Sequence, residues 1–282
     1  IDKSRREFEK PLLKKSARWI IFVTLWVQCV HVSQSSGILS PSGNQISEDL
    51  QMNQVEYGCI SPVYSIGRWI GGWLFAFVGN SVNRKYLMVF AGVSHGIINM
   101  FFMFTSNGYI ILACRCFAGI GHIWPPIYTG LWVGQFAIQK YAKLWKLFSS
   151  ITSPFGRASG FFIDLFAGAE NWRYGFFYNG FVLFTCGLIL LFFPNIYFSS
   201  KLVAVTGKDG KEQLRPSQAV VASIFNVRQS EPDERDVNIF AKNKCVLLDP
   251  FYDLLALTRC TNVFIRSALQ FWLVKYIISL GY

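Results

Sequence analysis

The chain has 282 residues, 52% hydrophobic and only 15% charged, against about 25% charged in a soluble domain. A formal net charge of +11 would suit nucleic acid, but the Lys and Arg cluster in short segments between apolar blocks, where they report membrane topology. Composition therefore argues against a soluble domain and a nucleic-acid partner, and makes the lipid bilayer the expected solvent.

Residues 1–16 are a basic tail carrying Lys3, Arg5, Arg6, Lys10, Lys14 and Lys15. The apolar blocks that follow predict helical spans near 17–39, 58–79, 86–105, 109–134, 147–167 and 174–195, each about the 20 residues that cross a hydrocarbon core. The fourth is interrupted by Pro125-Pro126, which kinks a helix without ending a membrane span. Residues 196–261 are polar, carry a turn signal at Gly207-Lys208-Asp209-Gly210, and predict a cytoplasmic central loop. Within it, Leu247 to Leu257 is apolar enough for a short helix on the membrane surface. A weaker seventh span covers 262–282 and holds Arg266, Gln270 and Lys275.

Basic residues alternate between connections. Asn83-Arg84-Lys85 lies between spans 2 and 3, and Lys140, Lys143 and Lys146 lie between spans 4 and 5. Residues 40–57 contain Glu48, Asp49 and Glu56 without Lys or Arg. This is a positive-inside pattern with the N-terminus cytoplasmic, the opposite of a seven-helix receptor. Spans 1–3 and 4–6 then form an inverted pair of three-helix repeats. The expected architecture is an all-α integral membrane protein: a six-helix bundle over 17–195, a loop, and the first helix of a further half. Most cysteines fall within apolar blocks as small hydrophobes, and Cys114-x-Cys116 is too short for a zinc or redox pair. No metal or other cofactor is expected.

Ionisable groups at membrane depth are the candidate site, because each costs about 2.5–3.5 kcal/mol at mid-bilayer. Arg68, Arg157 and Lys275 fall near the middle of spans 2, 5 and 7; Arg115 lies in the outer half of span 4; His31 and His122 lie near mid-depth on spans 1 and 4. The intramembrane carboxylate is Asp164, two turns from Arg157. A cavity with several cations and one acid calls for an anionic solute, and Arg suits phosphate or carboxylate through paired hydrogen bonds. Structural alternatives stand beside each residue. Arg115 can bond backbone carbonyls, Arg68 and Arg157 can pair with carboxylates elsewhere, Lys275 can snorkel, and His95 can be a packed or lipid-interface histidine. His31 and His122 either titrate near neutral pH and couple protons or stay neutral and hydrogen-bonded. Gly67, Gly71 and Gly72, with Gly156 and Gly160, are expected to let helices approach closely, and Gly119-x-Gly121 before Pro125-Pro126 suggests a bent span 4.

Four motifs in order resemble the major facilitator superfamily. They are the loop Gly79-Asn80-Ser81-Val82-Asn83-Arg84-Lys85, Arg115-x-x-x-Gly119-x-Gly121 on span 4, Pro154-x-Gly156-x-x-x-Gly160 on span 5, and Trp172-Arg173-Tyr174-Gly175-Phe176 opening span 6. The run Asn83-Arg84-Lys85-Tyr86-Leu87-Met88 is similar to Spinster-type transporters, while Trp124-Pro125 and Lys275 resemble organophosphate/phosphate antiporters. The resemblance implies a cavity lined by spans 1, 4 and 7, flanked by 2 and 5, and a gating loop at Asn80, Arg84 and Lys85. Asn80 replaces the family's loop acid, and His31 and His122 stand where carboxylates handle protons in related chains. The chain begins at Ile and stops in or after an apolar block, so it is expected to be the N-terminal half of a longer transporter.

The expected function is alternating-access transport of a small organic anion, phosphate-bearing or a lysolipid, with proton or counter-anion coupling. The alternative is a non-transporting relative acting as receptor or scaffold. No HExxH, P-loop or GxSxG motif marks an enzyme.

Overall fold

The computed structural model describes residues 14–78, 82–168 and 171–198, with a few positions beyond them. The elements are α1 (Lys15–Leu39), α2 (Gly43–Asp49), α3 (Gln54–Val78), α4 (Arg84–Phe101), α5 (Gly108–His122), α6 (Trp124–Phe136), α7 (Ala142–Ala167) and α8 (Trp172–Leu191). Further on, Val205 pairs with Gln213 and Thr206 with Glu212 in a two-residue antiparallel ladder. Asn80, Lys275, the seventh span and most of Leu247 to Leu257 lie outside the described residues.

The expected spans 1–6 correspond to α1, α3, α4, α5 with α6, α7 and α8. Three details differ. The segment 40–57 was expected as a plain loop and contains α2. Arg84 and Lys85 belong to the first turn of α4 rather than to the loop before it, because the Asn83 side chain caps that helix by accepting from the Lys85 amide at 3.0 Å. Span 4 breaks at Ile123, just ahead of the prolines. Pro125 and Pro126 have no N–H for the carbonyls of Gly121 and His122, and the ladder resumes where Ile127 N donates to Ile123 O at 3.4 Å.

Two helical stretches, Gly108–Phe136 and Trp172–Leu191, are long and apolar enough to cross a membrane by composition alone. The others are diluted by polar and small residues on buried faces, such as Gln28, Ser33, Gln34 and Ser35 on α1 and Ser65, Gly67, Arg68 and Gly71 on α3. Large apolar side chains point outward, among them Trp69, Phe90, Phe117, Phe155 and Phe181.

The closest helix pairs are α4 with α8, α3 with α5, and α1 with α7. Glycines make each crossing. A Cβ at Gly67, Gly71 or Gly119 would strike the carbonyl of Cys116, Ile120 or Tyr64, and one at Gly37, Gly156 or Gly160 that of Arg157, Val30 or Gln34. On α4 and α8, a Cβ at Gly96 would lie 2.6 Å from Phe184 N, and one at Gly180 would lie 2.6 Å from Gly96 O. Gly72 and Gly121 do not serve this way: a Cβ at Gly72 meets nothing within 4 Å, and one at Gly121 finds only ordinary contacts from 3.8 Å.

Two apolar clusters stack along the helices. One holds Phe22, Leu25, Met88, Tyr128, Trp132, Trp145 and Leu190, with the Phe22 and Trp145 rings stacked at 4.3 Å. The other holds Ile38, Ile46, Tyr57, Phe102, Ile111, Trp172 and Phe176. Between them in sequence along each helix fall the buried polar residues Gln28, Ser33, Gln34, Ser35, His95, Asn99, Arg115, His122 and Asn179.

Candidate functional site

The polar layer is built around Arg115 and His122, one side of α5 carrying both. Arg115 is 1% exposed. Its guanidinium carbon lies over the rings of Phe176 at 4.8 Å, Phe102 at 5.2 Å and Tyr64 at 5.7 Å, within cation–π range. Nη2 donates to Ser35 O at 3.3 Å, while Nε and Nη1 are buried without a partner. This geometry ties α5 to α1, α3, α4 and α8, and matches the structural alternative raised for Arg115.

His122 bonds through Nδ1 to the Tyr64 hydroxyl, a very short contact between α5 and α3. Ser35 and Ser36 of α1 lie beside the same hydroxyl. Arg68 of α3, Arg157 of α7 and His95 of α4 all lie close enough to act electrostatically on His122. Arg68 is half-buried, with Nε buried and unpartnered. Arg157 is also half-buried, and its Nη2 donates to Ser153 Oγ at 2.7 Å one turn back. His95 is fully buried, with neither ring nitrogen hydrogen-bonded, so of its two alternatives the packed one holds. Among the described residues no Asp or Glu is buried; the Asp164 side chain lies outside the description.

His31 lies on α1. Its ring packs edge-on against Tyr178 of α8 at 5.9 Å, and its backbone carbonyl accepts from Asn179 Nδ2 at 2.8 Å. It borders a buried amide chain. Asn99 Nδ2 donates to Asn179 Oδ1 (2.9 Å), Asn179 Nδ2 to Gln34 Oε1 (2.7 Å), and Gln34 Nε2 to Ser159 Oγ (3.1 Å). The chain joins α4, α8, α1 and α7. Reading by charge missed it, since Asn and Gln carry none; their position in otherwise apolar blocks is the signal that finds them.

Arg84 and Lys85, expected to gate, sit at one end of the α4–α8 pair. Lys85 is buried and donates through Nζ to Leu191 O at 2.9 Å, the last carbonyl of α8. At the opposite end Arg173 Nη1 donates to Phe102 O at 3.2 Å and Thr105 O at 2.6 Å, beyond the last turn of α4. Asp49 of α2 steadies that end, 3.9 Å from Arg173 Nε and accepting from Trp172 Nε1 at 2.9 Å.

Glycine-tight helix crossings around a cationic polar layer agree with what family comparison finds: the model of the Major Facilitator Superfamily matches residues 25–282. The chain belongs to the major facilitator superfamily. It is accordingly an integral, multi-pass membrane protein of a family that transports small molecules. No curated protein matches it. The α5 arginine and the Trp172-Arg173 pair are held in packing and capping contacts, and Arg68 and Arg157 lie close enough to His122 to act on it electrostatically.

Proposed function

We propose that this facilitator moves a small organic anion by alternating access, holding it with Arg68 and Arg157 beside His122. The carrying observation is that arginines of α3 and α7 both lie close enough to one buried imidazole to act on it electrostatically, in a layer whose described buried residues include no acid. An arginine fork is a strong partner for phosphate or carboxylate oxygens. The solute is phosphate-bearing or a lysolipid in this reading. The N-terminus is cytoplasmic, spans 1–3 and 4–6 are inverted repeats, and residues 196–261 form a cytoplasmic loop before span 7 with Lys275. The contact pattern supports the repeats: exchanging α1, α3 and α4 with α5–α6, α7 and α8 carries the three closest helix pairs onto one another. Proton or counter-anion coupling runs through His122, whose Tyr64 partner links α5 to α3.

The test is uptake of a panel of anions, sugar phosphates and lysophospholipids included, into vesicles holding the full chain. Uptake of one class that is lost in R68A and R157A supports the reading. Undiminished uptake in both variants overturns the anion site, and no uptake of any solute favours the receptor or scaffold.

A further inference from the structure

α3 and α7 carry the same five-residue pattern at the same point of their crossings. Gly67-Arg68-Trp69-Ile70-Gly71 and Gly156-Arg157-Ala158-Ser159-Gly160 share G-R-x-x-G, each position 89 residues from its mate (67 and 156, 68 and 157, 71 and 160). The glycines do the same work. Gly67 and Gly71 meet the carbonyls of Cys116 and Ile120, one turn apart on α5; Gly156 and Gly160 meet those of Val30 and Gln34, one turn apart on α1. Each arginine is therefore fixed beside a backbone contact of the same geometry, and each has a hydroxyl residue one turn earlier, Tyr64 or Ser153.

The third helix pair repeats the relation independently. Lys85-Tyr86 precedes Gly92 as Arg173-Tyr174 precedes Gly180. Lys85 donates to the carbonyl end of α8, and Arg173 to the carbonyl end of α4. Matching glycines and matching cations thus occur on two separate helix pairs, as an internal two-fold relation requires.

We infer that Arg68 and Arg157 are symmetry-related halves of one oxyanion clamp beside His122, and that the group they hold has three terminal oxygens. This rests on the anion-transport reading above. Each guanidinium offers about five N–H donors. A carboxylate satisfies one fork with its two oxygens, whereas a phosphonate, sulfonate or phosphate monoester has a third oxygen left for the second guanidinium.

The experiment compares benzoate, benzenesulfonate and phenylphosphonate as stabilisers of the full-length protein in detergent, by thermal unfolding, with R68K and R157K beside it. The lysine variants keep the charge and remove the fork, and their unfolding without ligand reports whether they fold. The sulfonate and phosphonate are expected to bind about tenfold or more tightly than benzoate, the scale of one charged hydrogen-bonding interaction. Both variants should lose that preference to a similar extent. If only the phosphonate exceeds benzoate, charge rather than oxygen number decides, and the clamp as stated is overturned. It is also overturned if benzoate matches both, or if only one variant loses the preference, although anion recognition then survives. If no anion stabilises the parent, the transport reading fails with it. Should a lysine variant not fold, R68Q or R157Q takes its place under the same comparison.

Discussion

Arg115 lies among three aromatic rings with two of its guanidinium nitrogens buried and unpartnered, so its side-chain volume is as important to packing as its charge. Truncation leaves a cavity between α1, α4, α5 and α8, whereas a long apolar side chain fills it and removes a desolvated cation. R115A is therefore expected to lose about 3 kcal/mol or more of stability and R115M distinctly less, as thermal unfolding of the two variants will show. Equal losses would mean that the bond to Ser35 and the charge dominate. At the N-terminal end of α3, the Glu56 carboxylate accepts from the Asn53 amide at 2.9 Å and the Tyr109 hydroxyl at 2.8 Å. These bonds, the backbone one first, hold its pKa below the usual carboxylate value. A depressed carboxylate contributes stability that is complete above its ordinary pKa and is lost as pH falls through the lower folded value. An acid titration of stability should accordingly show a loss below about pH 4.5 that E56Q flattens.

At the scale of the element, the α4–α8 pair is held by glycines in the middle and by one cation at each end. K85A and R173A each remove charged hydrogen bonds to helix-terminal carbonyls and are expected to cost about 1.5–3 kcal/mol; K85A with R173A should be close to additive because the two ends are far apart. Unfolding midpoints of the three variants check this. G71V places a branched side chain against the Ile120 carbonyl, so α3 must move off α5, and a cross-link between cysteines placed across that crossing should form more slowly than in the parent. Much of this was legible in the chain. Long apolar blocks announced the helices, and Gly67, Gly71, Gly156 and Gly160 announced crossings, since small residues on such helices have few other uses. Gly72 was misjudged because spacing alone does not say which face of a helix meets its neighbour. The break at Ile123 rather than at the prolines follows from hydrogen bonds lost one turn before a proline. The helix α2 escaped notice because seven residues with a single large apolar side chain, Ile46, give no apolar period.

For the whole molecule, the four family motifs carried the family and the family model bears them out. The candidate site was legible by residue type but not by arrangement. Depth along a helix put His31 and His122 at one level but did not give their partners: the His31 ring meets Tyr178 on α8, and His122 bonds Tyr64 on α3. The amide chain from Asn99 to Ser159 was invisible to a search for charge. A facilitator must move its helices without exposing these polar groups to lipid, and smooth glycine crossings around a hydrogen-bonded layer allow such motion. If His122 couples protons, uptake by the parent should depend on pH and H122Q should flatten the profile; a flat profile in the parent removes coupling through His122.

The measurement that bears most directly on the central claim is uptake of organic anions into vesicles by the full chain, run in parallel for the parent, R68A and R157A. Saturable uptake of one anion class by the parent, with each variant reduced at least tenfold while folding is retained, is the predicted result. Uptake that both variants sustain at the parental rate would contradict the account and return the two arginines to a structural role.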